Sequence, residues 1–210
     1  ADELSRLFSH LAMPYRLMAQ WALATGMRRM ELCALTCEQV PDVGAIDAAA
    51  MPLVGIDLTI TKGARPRTVY PPLRLIDRTH WYIGEDRAAL IRKQRRARAT
   101  YRPPANLFLN QYGQPVTRAR LTAVLSAAFD ASALRGSLHW LRHTFAMTML
   151  VRLQAQVAVR PDLNPLKVLQ VLMGHSSIQT TSIYLRCVEL HESAIAESLA
   201  YLYGETIDAA

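Results

Sequence analysis

Only two stretches of this chain alternate apolar and polar side chains as a half-buried strand must, and each turns back on itself locally. The first is Val54–Thr61, VGIDLTIT, which KGARP breaks and RTVYP resumes. That pattern predicts a β-hairpin with Lys62 and Gly63 at its tip. The second is LFLN followed by QPVT, two short strands around a turn at Tyr112-Gly113. No strand pattern connects these two places, so helices must supply most of the core.

Helical spacing accounts for the remainder. LSRLFSHLAM repeats its apolar residues every three or four positions. Pro14 suits the first turn of a second helix, PYRLMAQWALAT, and Gly26 suits its stop. A short helix, RRMELCAL, follows, and residues 41–53 read as a loop. GEDRAALIRKQRRARA places acids in a first turn and arginines in a last one, as a helix dipole favours, with Pro103 and Pro104 ending it. Thr117 can cap RARLTAVLSAAF. HWLRHTFAMTMLVRL is apolar on several sides, which predicts a central helix. Asn164-Pro165 opens PLKVLQVLM, Gly174 closes it, and a short helix carrying Tyr184 comes next. VELHESAIAESLAYLY closes the chain as an amphipathic helix. The expected class is therefore mainly α with a small antiparallel β-sheet or hairpin (α+β).

The totals narrow the function. A 51% apolar content is that of a globular protein. No run of about eighteen apolar residues exists, so no membrane helix is expected. The N-terminal segment is amphipathic and acid-bearing, unlike a signal or transit peptide. Cys33, Cys37 and Cys187 make an odd count, which argues for buried thiols in a reducing, cytoplasmic setting rather than a disulfide framework. The formal charge is +7, and the 24 basic residues include only three lysines, Lys62, Lys93 and Lys167. A basic balance points to a polyanionic partner, nucleic acid first, although GC-rich coding also raises arginine.

Four clusters carry chemistry. Arg28 follows Gly26-Met27; Lys62 sits at the hairpin tip; His139 and Arg142 stand three apart on one helix face; His175 and Tyr184 lie in MGHSSIQTTSIY. A tyrosine hydroxyl can attack a phosphodiester and become a phosphotyrosine. Two guanidinium groups can hold the non-bridging oxygens on which charge develops. A histidine has a suitable pKa to take the tyrosine proton, and a lysine on a hairpin can protonate the departing 5′ oxygen. Such a site needs no metal and no cofactor. His139 and His143 are spaced as in H-E-x-x-H zinc sites, but Trp140 occupies the glutamate's place, so His143 reads as a structural hydrogen bonder.

These motifs resemble the tyrosine recombinase (phage integrase) family in its catalytic domain. TGMRRMEL is similar to its first arginine motif, TKGARPRTVYP to its lysine hairpin, LHWLRHTFA to H-x-L-R-H-T-F-A, and MGHSSIQTTSIY to L-G-H-S-S-I-x-T-T-x-x-Y. The resemblance spans about residues 4–186. It implies that Arg28 and Arg142 clamp the scissile phosphate and that Lys62 protonates the leaving oxygen. It implies that His139 serves as acid and base, His175 hydrogen-bonds the phosphate, and Tyr184 attacks. Glu31 matches a family acid that supports the site from behind. Double-stranded DNA is the implied partner, with a tetramer of protomers on DNA for the full-length protein. Arg65 and Arg67 on the hairpin, and Arg92, Arg95 and Arg96 in RKQRRARATYR, are candidate DNA contacts, the alternative being a solvated helix end.

On this reading residues 1–186 form the catalytic domain, and 187–210 a tail that packs on its own domain or docks on a neighbouring protomer. The family's N-terminal DNA-grasping domain has no counterpart in the chain, which reads as an excised domain or truncated product. Thr61 stands where the family often has glycine, and the stretch near LQAQVAVRPD is longer than usual. Two other functions stay open: a type IB topoisomerase and a DNA-binding remnant without catalysis. Target sequence and reaction direction are not readable.

Overall fold

The computed structural model describes residues 2–42, 44, 54–61, 66–182 and 184. Helices α1 (Asp2–Ser9), α2 (Tyr15–Thr25) and α3 (Arg29–Ala34) come first. The hairpin strands β1 (Ile56–Leu58) and β2 (Arg67–Val69) follow, then α4 (Leu73–Tyr82), a π-helical turn (Ile83–Arg87) and α5 (Ala88–Ala97). The described residues end with α6 (Arg118–Ala131), α7 (Leu138–Gln156), α8 (Pro165–Met173) and a helical turn at 178–182 and 184. This is the mainly helical architecture with one small antiparallel sheet that the periodicities predict.

Helix α2 is buried along most of its length. Its Trp21 is fully enclosed and donates from Nε1 to Thr79 Oγ1 of α4 at 3.0 Å, so the large ring is buried with its one polar atom satisfied. Gly26 ends α2 in the left-handed conformation (φ 63°). A methyl group there would stand 2.6 Å from Phe145 Cδ1, so the turn presses directly onto α7. Most buried apolar residues form one cluster around α2. A second gathers Phe145, Ala146 and Leu150 of α7, Leu169 and Met173 of α8, and Tyr184.

The caps follow the sequence signals. Thr117 accepts from Arg120 N, Asn164 accepts from Lys167 N, and Gly174 ends α8 at φ 60°. The longer connection near Leu153–Asp162 is divided between the last turn of α7 and the loop after it.

Three expectations change. The helix expected from Gly84 begins at Leu73, directly after Pro71-Pro72, with Leu75, Ile76, Thr79 and Tyr82 buried on one side. Glu85 and Asp86 therefore lie mid-run, in the π turn, and not at an N-terminus. The second strand pair reduces to one bridge, Leu109 with Pro115. Asn110 N and Val116 N make ladder bonds, but Pro115 has no N–H to extend them. The first hairpin pairs only Ile56–Leu58 with Arg67–Val69, a shorter ladder than the alternation suggests, and its expected tip lies outside the described residues.

Candidate active site

Helix α8 ends where the site begins. The last carbonyls of a helix lack internal partners and carry the negative end of its dipole. The left-handed turn at Gly174 leaves three such carbonyls side by side, and each accepts from a different arginine. Leu172 O accepts from Arg67 Nη1, Met173 O from Arg142 Nη2 at 2.6 Å, and Gly174 O from Arg28 Nη2 at 2.9 Å. The end of α2 contributes one more acceptor. Gly26 O takes bonds from Arg142 Nη1 and from Arg67 Nη2, the latter at 3.3 Å. Two helix C-termini thus gather three guanidinium groups that start far apart in sequence.

Glu31 balances part of this charge. It is 1% exposed, yet its carboxylate accepts four bonds. Oε1 takes Arg28 Nη1 at 3.0 Å and Arg67 Nε at 3.2 Å; Oε2 takes Arg67 Nη2 at 2.7 Å and the Arg28 backbone N–H at 2.6 Å. Burial alone would push this carboxyl up, but the bonds and charge of Arg67, with those of Arg28, outweigh it and hold it below the usual carboxylate range. Three guanidinium groups around one carboxylate leave a net positive site. Burial, with Arg28 and Arg67 alongside, pushes Arg142 down to about 9, so it stays charged at neutral pH.

His175 follows Gly174 and turns back over the arginines. Its Nε2 lies 3.3 Å from Arg142 Nη2 and its Nδ1 lies 2.9 Å from Thr181 Oγ1. Arginine only donates, so Nε2 is the bare nitrogen and Nδ1 carries the hydrogen, which it donates to Thr181. Burial, then Arg142, Arg28, Arg67 and His143, push this imidazole down to about 4, so it is neutral. Tyr184 is 4% exposed, with its ring parallel to that of His175 at a centroid distance of 6.3 Å. His143 approaches Tyr184 at 5.4 Å and meets His139 edge-on at 4.3 Å. His139 lies at the exposed start of α7, where burial of its ring, then Arg142 and Arg28, lower its pKa.

The structure therefore brings together Arg28, Glu31, His139, Arg142, His175 and Tyr184, drawn from α3, α7 and the segment after α8. Lys62 and Arg65 lie outside the described residues. Arg92, Arg95 and Arg96 are exposed on α5, where Arg92, Lys93 and Arg96 line a shallow groove of about 480 Å³ with Ala89 and Ala97. Arg67 requires a correction. Expected as a DNA contact, it is 9% exposed and directs its guanidinium inward, onto Glu31 and two helix ends. Alternation signals this: Arg67 shares the inward face of the hairpin with Val69, Ile56 and Leu58, while Thr68 and Asp57 pair outside. Thr181 is the partner of His175 Nδ1, a role that no spacing in the sequence announces. Among the described residues no group of three His, Cys, Asp or Glu side chains is placed to hold a metal ion. None of the described helices is long and apolar enough to cross a membrane. Burial pushes the Cys33 thiol up to about 11, which keeps it protonated and unreactive.

The sequence pattern of the phage integrase family matches residues 1–190. The chain belongs to that family. Among phage integrase relatives, it is 31% identical over 193 residues to tyrosine recombinase XerC 2 of Ralstonia nicotianae, covering 89% of this chain and 48% of that protein. The chain spans about half the length of the curated relatives it matches. Among solved structures, the catalytic domain of bacteriophage HP1 integrase superposes with a TM-score of 0.54 at 23% identity, over 99% of this chain and 95% of that one. The XerH site-specific recombinase, bound to palindromic difH substrate in a post-cleavage complex, superposes with a TM-score of 0.56 at 22% identity. That match covers 95% of this chain and 51% of XerH. Both superpositions share the fold of a recombinase catalytic domain.

Proposed function

We propose that this domain breaks and rejoins DNA strands through a covalent tyrosine intermediate, as part of a site-specific recombinase. The hydroxyl oxygen of Tyr184 attacks the scissile phosphorus and the bond to the 5′ oxygen breaks. The products are a 3′-phosphotyrosine and a free 5′ hydroxyl. Arg28 and Arg142 stabilise the charge that develops on the non-bridging oxygens, and His175 adds a hydrogen bond there. His139, neutral at physiological pH, receives the tyrosine proton, and Lys62 supplies one to the leaving oxygen. Attack by another strand's 5′ hydroxyl reverses the step, so the phosphoester bond energy is kept and no nucleotide cofactor is consumed.

The observation that carries this reading is the convergence of Arg28 and Arg142 on adjacent carbonyls at the end of α8, with Tyr184 against His175 beside them. The recombinase names of the relatives support the same reaction. Duplex DNA is the proposed substrate, in keeping with the DNA-bound XerH neighbour. A palindromic site presents its half-site twice and so takes two copies of a protein. Exchange between two such sites then takes four copies of the full-length protein.

A nicked suicide DNA substrate tests the reading, because the released 5′ fragment diffuses away and strands the intermediate. The wild-type chain should accumulate a covalent DNA adduct mapped to Tyr184, and Tyr184→Phe should form none. An adduct through another residue would sink the assignment.

A further inference from the structure

Thr181 is fully enclosed at 0% exposure, and its hydroxyl meets the Nδ1 of His175 at 2.9 Å. On the other side of the same ring, Nε2 faces the Arg142 guanidinium at 3.3 Å. The main chain on both sides of the ring is also pinned. The His175 N–H bonds Gln170 O at 3.0 Å, and the His175 carbonyl accepts from Gln170 Nε2 at 3.2 Å. What remains adjustable is the rotation of the imidazole and the site of its proton, and Thr181 touches both.

We infer that Thr181 is a positioning residue for His175: its hydroxyl holds the ring with Nε2 turned toward the arginines and serves whichever protonation form the ring takes. The inference rests on the strand-breaking reading above, in which His175 meets a phosphate oxygen. In the DNA-free site Arg142 donates to Nε2, so the ring hydrogen sits on Nδ1 and Thr181 accepts it. A non-bridging phosphate oxygen is an acceptor only, and reverses the demand at Nε2, which must then carry a hydrogen. The ring meets that demand by gaining a second proton or by moving its hydrogen from Nδ1 to Nε2. A hydroxyl suits both outcomes, since it accepts from Nδ1–H in the first and donates to bare Nδ1 in the second. Valine has the shape of threonine and can do neither. It leaves the Nδ1–H of a half-buried ring facing a methyl group in place of its acceptor, which frees the ring to turn toward solvent.

The groups facing the ring are Arg142 from α7, Arg28 from the start of α3, Arg67 from β2, and His143 and Tyr184 beside it. None of the three arginines can accept the Nδ1 hydrogen. Thr181 is the neighbour that does so in the structure.

The test uses the chain with ¹⁵N-labelled histidine and long-range ¹H–¹⁵N spectroscopy at neutral pH, the His175 signals being identified by their loss in His175→Asn. The wild type should show hydrogen on Nδ1, slowed in its exchange with water. Thr181→Ser should keep that signature, and Thr181→Val should lose it through ring rotation and solvent exchange. With a suicide DNA substrate, Thr181→Val should form the adduct slower by about tenfold or more at unchanged DNA affinity, with Thr181→Ser close to wild type. If Thr181→Val does not give a folded amide spectrum, Thr181→Ala carries the same comparison. Hydrogen on Nε2 in the wild type, or an unchanged Nδ1–H in Thr181→Val, overturns the inference. So does an adduct rate for Thr181→Val within about twofold of wild type, a change well under one hydrogen bond's worth. If the wild type forms no adduct at all, the strand-breaking reading fails, while the ring-proton comparison still decides what Thr181 does.

Discussion

Arg67 and Glu31 form a two-pronged ion pair beneath the hairpin, Nη2 to Oε2 at 2.7 Å and Nε to Oε1 at 3.2 Å, with both side chains nearly excluded from solvent. Glu31 also holds Arg28 by its backbone N–H and its guanidinium. One carboxylate therefore ties the hairpin strand β2 to the start of α3. Because Arg67 and Arg28 both reach the end of α8, the pair also fixes where that helix stops relative to the others.

Removing Arg67 should destabilise the fold and also draw Arg28 more tightly onto Glu31. Breaking one side of a buried pair typically costs about 3–5 kcal/mol. Arg28 remains as a partner for Glu31, so Arg67→Met should fall near the lower end, about 3 kcal/mol by urea unfolding. Arg67→Lys should recover little of it, because an ammonium cannot span both carboxylate oxygens. Pairing Arg67→Met with Glu31→Gln should cost clearly less than the sum of the single losses. Additive losses would show that Arg67 and Glu31 act independently.

The histidines set an acid limit on stability. His175 binds its proton less readily folded than unfolded, its pKa falling from an ordinary 6.5 to about 4, and His139 and His143 are lowered too. Below pH 6.5 the unfolded chain thus takes up protons that the folded one refuses. The contribution of His175 is present in full above 6.5, is lost as pH falls toward about 4, and changes little below that. The melting temperature should decline across this interval, and His175→Asn should make the decline shallower. Glu31 acts later, since its lowered pKa keeps its contribution until the pH is below the ordinary 4.5. A melting temperature that is flat from pH 6.5 to 4.5 would contradict the burial of these rings.

Much of this arrangement was legible in the sequence because local rules governed it. Gly26 and Gly174 each stand after a helical run, and each adopts the left-handed turn that favours glycine. Thr117 and Asn164 cap as their positions suggest. The motif residues Arg28, Arg142 and His175 meet because α2 and α8 end beside them, and their last carbonyls take the guanidinium groups. What stayed hidden depends on partners distant in sequence. α4 lacks a capping side chain at its start and runs into the next helix through a π turn, so Gly84 read as a boundary. Arg67 looked like a surface cation because its type is usually exposed, whereas its place in the alternation put it inside. Its acceptors, Glu31, Gly26 and Leu172, come from three other segments, and no local pattern announces them.

The basic face of α5 should reveal itself through salt. Arg92, Arg95 and Arg96 are exposed there, beside Lys93. Each phosphate neutralised by a cation adds about 0.9 to the slope of log affinity against log salt concentration. If this face lies on the DNA backbone, replacing Arg92 and Arg96 together by glutamine should flatten the slope by about two. The loss should be similar for any duplex sequence, since phosphates carry no base information. Fluorescence anisotropy with a labelled duplex across a salt series measures it. An unchanged slope would assign these arginines to solvent.

Gly174 and Gly84 make opposite predictions for the same substitution. At Gly174 the backbone is left-handed, which costs alanine about 1–2 kcal/mol in itself. The added methyl would also collide with Arg67 Cδ, and the clash can be relieved only by moving an arginine bonded to Glu31, Gly26 and Leu172. Gly174→Ala should therefore lower stability by more than the backbone term. Gly84 sits inside the continuous helical run with nothing within 4 Å of an added methyl. Alanine there removes a helix-weakening residue without a clash and should raise stability by about 0.5–1 kcal/mol. Thermal melts of the two variants should move in opposite directions from wild type. A neutral Gly174→Ala would mean that the end of α8 is free to rearrange, and that the three arginines are not held by the turn as the structure has them.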